Sequence, residues 1–148
     1  GKKIGIMLEE IGFEYKVTKL DLAKGDQFKP EFKKISPFAK IPTIVDHSNN
    51  NLAIFESGAI LIYLSERSGK FYDKENKLNI DQWLMAQMGL IGPMIGQYHY
   101  FYRFNKGLSE VGEKRYFEIT IIDIISQFSR VGSLRRCGSG TINSNKSK

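Results

Sequence analysis

With a single cysteine, Cys137, the chain can close no disulfide within itself and can form no Cys-x-x-Cys redox pair. Its two histidines stand apart from any cluster of acids or cysteines, so no metal-ligand spacing can be read and metal-free chemistry is expected. Long apolar runs are missing too. The longest, such as Ala59 to Leu64, are far short of the ~20 residues that a membrane-spanning helix needs, and no charged-then-apolar leader pattern opens the sequence. The expectation is a cytoplasmic protein with no membrane partner. Acidic residues are absent after Asp123, whereas Arg130, Arg135, Arg136, Lys146 and Lys148 follow it. The formal net charge of +6 therefore belongs to the tail, since residues 1–123 carry seventeen basic against sixteen acidic groups. That distribution argues against a nucleic-acid-binding face.

At 148 residues and 41% hydrophobic content, the chain has material for one domain or two small ones. Ile4, Met7, Leu8 and Ile11 recur at i, i+3, i+4 and i+7, which predicts a helix over Lys2 to Glu10, with Gly12 just past its end. Phe13, Tyr15 and Val17 alternate with polar residues and predict a strand before the Lys24-Gly25-Asp26 loop. Pro30 opens a short helix to Ile35, ended by Ser36-Pro37. Thr43 to Val45 and Leu52 to Phe55 are predicted to pair as a hairpin around His47 to Asn51, followed by a helix from Ser57 to Arg67 that Gly69 ends.

Residues 70–78 are polar and suit a linker. Beyond them a long helix is predicted from Ile80 to about Arg103, with Trp83, Leu84, Gln87, Leu90, Ile91, Met94 and Ile95 facing inward and Pro93 kinking it. A second helix from Ser109 would carry Phe117, Ile121, Ile124, Ile125 and Phe128 as an apolar stripe. Residues 130–148, mostly Gly, Ser, Asn, Thr and Arg, read as an unfolded tail.

Two short stretches carry chemistry. In Ile54-Phe55-Glu56-Ser57-Gly58-Ala59-Ile60 an acid and a hydroxyl fall where a strand gives way to a helix; Ser57 is a natural N-cap, and the helix start behind it favours a carboxylate. Upstream, Lys40-Ile41-Pro42 opens a strand with an Ile-Pro bond that can be cis, beside backbone groups free to pair with an extended peptide. Singly, these are also an ordinary helix cap and an ordinary edge proline.

In this combination and order the chain resembles the glutathione transferase superfamily, and within it the bacterial and fungal branch called Nu-class or nitrogen-regulator-like, which is associated with disulfide-bond oxidoreductases. The matching stretches are Lys3 to Gly12 (KIGIMLEEIG), Gly25 to Phe32, Ser36 to Asp46 (SPFAKIPTIVD), Phe55 to Leu64 (FESGAILIYL), Gln82 to Gln97 (QWLMAQMGLIGPMIGQ) and Lys114-Arg115-Tyr116. The resemblance implies an α/β thioredoxin-like N-terminal domain, residues 1–69 with its first strand absent, then the linker and a truncated all-α domain over residues 79–129. A fragment is expected on this reading, incomplete at both ends, and residues after about Phe128 depart from the family pattern.

The resemblance further implies glutathione as cosubstrate. Ser57 and the helix start would hold the γ-glutamyl carboxylate while Glu56 faces the ammonium. The Ile41 backbone would pair with the cysteinyl unit, provided Pro42 is cis, and Lys40 and Gln27 would hold the glycine carboxylate from two sides. The group that activates the thiol would stand just before Gly1, outside the chain. Gln97, Tyr98, His99, Phe101 and Tyr102 would line a pocket for an electrophile or a disulfide. The expected activity is glutathione transfer or glutathione-dependent disulfide reduction in a homodimer; the alternatives are a non-catalytic regulatory module of the same fold and an inactive fragment.

Overall fold

The computed structural model describes residues 1–124 and Ser126. The chain divides into two compact units, one ending at Leu84 and the other beginning at Met85. The elements are α1 (Lys2–Ile11), a 3-10 turn (Asp26–Phe28), α2 (Pro30–Ile35), β1 (Thr43–Asp46), β2 (Leu52–Phe55), α3 (Ser57–Ser68), α4 (Lys77–Ala86), α5 (Gly92–His99) and α6 (Glu110–Phe117). π-helical turns follow α4, α5 and α6, at Gln87–Ile91, Tyr100–Phe104 and Glu118–Ile124. No helix among the described residues is long and apolar enough to cross a membrane.

The core of the first unit follows from the apolar spacing of α1 and α3. Ile4, Met7 and Ile11 on one face of α1 meet Ile60 and Leu64 on α3, with Leu8, Phe13, Ile44, Ile54, Leu61 and Tyr63 packed around them. Ile60 is wholly buried, worth about 1.5–3 kcal/mol in water-excluded area. Helix α1 stops at Gly12, whose φ of +78° is open to glycine without strain and lets its N–H reach the carbonyls of Leu8 (3.0 Å) and Glu9 (3.2 Å).

Strands β1 and β2 pair antiparallel, Thr43 opposite Phe55 and Ile44 opposite Ile54. One face of the hairpin thus supplies Ile44 and Ile54 together to the core. Its turn is tied down to α3. Tyr63 donates to Asp46 Oδ2 (2.6 Å), Arg67 lies 3.4 Å from the same oxygen, and Asp46 Oδ1 accepts from the Ser48 hydroxyl (2.6 Å) and N–H (2.9 Å). The Ser48 hydroxyl foremost, then that of Tyr63, holds the Asp46 carboxyl down to about 2.

The strand predicted around Phe13, Tyr15 and Val17 is not formed. Among the described residues no strand pairs with this segment, and the sheet has β1 and β2 alone. Phe13 packs against the core while Tyr15 and Val17 are exposed, so the alternation marks a segment with one anchored side chain rather than a laddered strand.

From Lys77 onward the described residues are helical apart from short turns, and the second unit has no strand among them. The run expected from Ile80 begins earlier, at Lys77, and is interrupted by π turns. Each such turn adds a residue to the helical cycle and rotates the apolar stripe out of phase. Accordingly Leu90 and Ile95, expected inside, are exposed; Trp83, also expected inside, is exposed on α4 ahead of the first such turn. Pro93 falls at the start of α5, just after a π turn. Ser109 caps α6, accepting from the Gly112 N–H at 3.1 Å, and Gly112 leaves room for the Phe101 ring, to which an added Cβ would come within 2.9 Å. Phe101 stacks on Tyr116 with ring centres 5.5 Å apart, and Thr120 donates to the Met94 carbonyl (3.2 Å). Of the expected stripe, Phe117 is exposed and Ile124 is buried. The side chains of Ile121 and Ile125, as well as Phe128 and the tail with Cys137, lie outside the described residues.

Candidate functional site

The hairpin register decides the arrangement. Because Thr43 stands opposite Phe55, the residues just before β1 (Lys40, Ile41, Pro42) and just after β2 (Glu56, Ser57) emerge at the same end of the hairpin, away from the His47–Asn51 turn. The two stretches that chemistry singled out are brought together by this pairing.

At the first stretch the Ile41–Pro42 bond is cis. Ile41 is 47% exposed, which rules out a plain buried strand residue, and neither its N–H nor its C=O is paired with another described residue. Its neighbours are held firmly. Thr43 Oγ1 lies 2.9 Å from the Ile54 carbonyl and 3.2 Å from the Ile35 carbonyl, fastening β1 to both β2 and α2. The side chain of Lys40 is exposed, and its own backbone is held by the Ser36 hydroxyl.

At the second stretch Ser57 is not the N-cap that the sequence suggested; it is the first residue of α3, and Glu56 occupies the cap position. The reason is the backbone of Glu56, at φ +66° and ψ 114°, a conformation rare for a residue with a side chain, which turns the chain sharply from β2 into the helix. Glu56 makes no side-chain capping bond and is exposed. The first helical hydrogen bond runs from the Ile60 N–H to the Glu56 carbonyl (2.9 Å), so the Gly58 and Ala59 N–H groups precede the ladder at the positive end of the dipole. Ser57 and Gly58 are buried beside them. An electropositive backbone end with an acid on its rim suits a ligand bearing a carboxylate and an ammonium on one carbon.

Gln27 sits in the 3-10 turn before α2, where Asp26 pairs with Lys29 at 2.7 Å. Its Oε1 is buried without a hydrogen-bond partner among the described residues, so it is not the solvated amide that a surface glutamine would be.

In the second unit, Gln97, Tyr98 and His99 fall on α5 and Tyr102 on the π turn after it. Tyr98 and Tyr102 stack with centres 5.2 Å apart, Tyr98 also meets Phe117 at 6.1 Å, and His99 meets Phe104 edge-on at 5.1 Å. Gln97, His99 and Tyr102 are exposed, whereas Phe101, half-buried, stacks on the half-buried Tyr116. Sequence reasoning missed Ser36 and Thr43, the side chains that fix the first stretch; a serine before proline at a helix end is a turn-forming signal that could have pointed to the former.

Residues 2–66 match the model of the glutathione S-transferase N-terminal domain. The chain is 50% identical over 107 residues to the disulfide-bond oxidoreductase YfcG of Escherichia coli, covering 68% of this chain and 50% of that protein. It is 35% identical over 127 residues to the transcriptional regulator URE2 of Saccharomyces cerevisiae, covering 78% of this chain and 35% of that protein. A glutathione transferase family member from Pseudomonas fluorescens, solved with two glutathione bound, superposes with a TM-score of 0.76 at 44% identity, covering 80% of this chain and 56% of that one. The chain spans about half the length of the bacterial relatives that it matches. The thioredoxin-like arrangement of residues 2–66 agrees with these likenesses, and the chain belongs to the glutathione transferase superfamily.

Proposed function

We propose that the chain binds glutathione at the shared end of its hairpin and serves a glutathione-dependent transferase or disulfide reductase. The single observation that carries this reading is the juxtaposition, through the Thr43–Phe55 register, of the open Ile41 backbone beside a cis proline with the start of α3. The γ-glutamyl carboxylate meets the Ser57 hydroxyl and the N–H groups of the first turn, and Glu56 faces the ammonium. The cysteinyl unit pairs with the Ile41 N–H and C=O, and the glycine carboxylate lies toward Lys40 and Gln27. Held so and deprotonated by the group expected before Gly1, the thiol attacks a mixed disulfide and displaces the second thiolate, or attacks an electrophilic carbon and displaces its leaving group. Disulfide reduction is favoured over conjugation by the likeness to a protein named as a disulfide-bond oxidoreductase. Gln97, Tyr98, His99 and Tyr102 are proposed to contact the second substrate.

A second reading, a regulatory module that binds glutathione without turnover, is supported by the likeness to a protein named as a transcriptional regulator. Calorimetric titration with glutathione tests the site: Ser57→Ala is expected to weaken binding by roughly 1–3 kcal/mol through loss of charge-assisted hydrogen bonds, and an unchanged affinity would show the clamp to be misassigned. Assays of disulfide reduction and of conjugation on the same protein separate the two readings, since binding without either turnover favours the module.

A further inference from the structure

Ser36 ends α2 at 1% exposure, and every polar group that it owns is engaged. Its N–H donates to the Phe32 carbonyl (2.9 Å) and its carbonyl accepts from the Ala39 N–H (2.9 Å). Its hydroxyl donates to the Lys40 carbonyl (2.7 Å) and accepts from the Lys40 N–H (3.2 Å). The turn closed in this way carries Ala39 at φ +53°, a left-handed conformation that an alanine adopts only when its surroundings impose it. The consequence falls on the next two residues. Lys40 has both backbone groups occupied, Ile41 has both unpaired among the described residues, and Pro42 has no N–H to offer.

We propose that Ser36 is a positioning residue that sets the register of the bound peptide: by occupying the N–H and C=O of Lys40 with one hydroxyl, it leaves Ile41 as the residue of this edge on which an extended ligand pairs. A ligand displaced by one residue toward Lys40 would find the N–H there already donated and the carbonyl already engaged by the Ser36 hydroxyl, and its side chains would point to the opposite face. For glutathione, a slip of this kind would carry the thiol away from its productive side. The identity of the peptide rests on the glutathione reading given above; the wiring of Ser36 does not.

Two measurements separate these layers. The first is amide hydrogen exchange without ligand, in the protein and in Ser36→Ala. The Lys40 amide should exchange at least tenfold more slowly than that of Ile41, and the substitution should abolish that difference while the β1 and β2 amides keep their protection. Equal exchange at Lys40 and Ile41 in the unsubstituted protein would overturn the proposal whatever the ligand is. The second is titration with glutathione and with an analogue whose γ-glutamyl–cysteinyl amide is replaced by an ester, which cannot donate to the Ile41 carbonyl. The ester should bind about tenfold more weakly than glutathione to the unsubstituted protein and no more than about twofold more weakly to Ser36→Ala, because the substituted edge no longer enforces one register. An undiminished tenfold penalty in the variant overturns the positioning role. Absence of glutathione binding by the unsubstituted protein refutes the glutathione reading instead and leaves the exchange result to decide on Ser36. Should Ser36→Ala fail to fold, Ser36→Cys, of nearly the same size but a weaker hydrogen-bonding partner, should show an exchange difference and an ester penalty both reduced by about half on a logarithmic scale, and no reduction in either counts against the proposal.

Discussion

Replacing Glu56 by glycine should move stability and binding in opposite directions. The residue is held at φ +66° and ψ 114°, and such backbone strain costs about 1–3 kcal/mol for a residue with a side chain. Glycine, lacking a Cβ, relieves much of this strain but loses about 0.5–1 kcal/mol through the greater freedom of its unfolded chain. No folded-state contact offsets the difference, because the Glu56 side chain is exposed and makes no capping bond. The balance is a gain of roughly 0.5–2 kcal/mol in unfolding free energy, read as a higher urea midpoint at unchanged slope. Glutathione affinity should fall by about tenfold to a hundredfold, the worth of one charge-assisted bond to the ligand ammonium. Glu56→Gln separates backbone from charge, since it should leave the midpoint near that of the unsubstituted protein and still weaken binding. A lower midpoint for the glycine variant would mean that the sharp turn into α3 is not strained, and a calorimetric affinity in both variants equal to that of the unsubstituted protein would remove Glu56 from the site.

The hairpin anchor gives a pH dependence. The Asp46 carboxyl, held down to about 2 by the Ser48 and Tyr63 hydroxyls, has an ordinary value of about 4 when unfolded, so its contribution is complete above pH 4 and is lost as pH falls through 2. In Asp46→Asn the acid limb of a stability-against-pH curve should be flatter across that window, and an identical limb would discount the anchor. Ile60→Ala, at a position with no exposed surface in the seam of α1 and α3, should cost about 2–5 kcal/mol by denaturant unfolding; a loss under 1 kcal/mol would mean that the seam collapses around the gap.

Much of the first unit could be read from the residues because its elements answer to local rules. The i, i+3, i+4, i+7 spacing of Ile4, Met7, Leu8 and Ile11 with Gly12 behind it produced α1, and Pro30 and the Asn-rich stretch at 49–51 marked the start of α2 and the hairpin turn. The failures have a common physical origin, in that each needed information beyond a local window. Alternation at Phe13, Tyr15 and Val17 has the period of a strand, but a ladder requires a partner. Apolar spacing past Ile80 has the period of an α-helix, but the π turn at 87–91 shifts its phase, and so Leu90 and Ile95 emerge.

The site residues divide along the same line. Ser57 looked like a cap because serine prefers that place; Glu56 holds it instead because the exit from β2, fixed by the pairing of Thr43 with Phe55, demands a positive φ one residue earlier. Ser36 looked like a stop signal, a serine before proline at the end of α2, and nothing in its immediate neighbours points to Lys40. Its hydroxyl finds that partner only when the turn through Ala39 closes, so the side chain that decides which backbone groups remain open is the one whose partner lies outside a dipeptide motif. In a site built from backbone edges and helix ends, the side chains that silence neighbouring backbone groups shape specificity as much as those that touch the ligand.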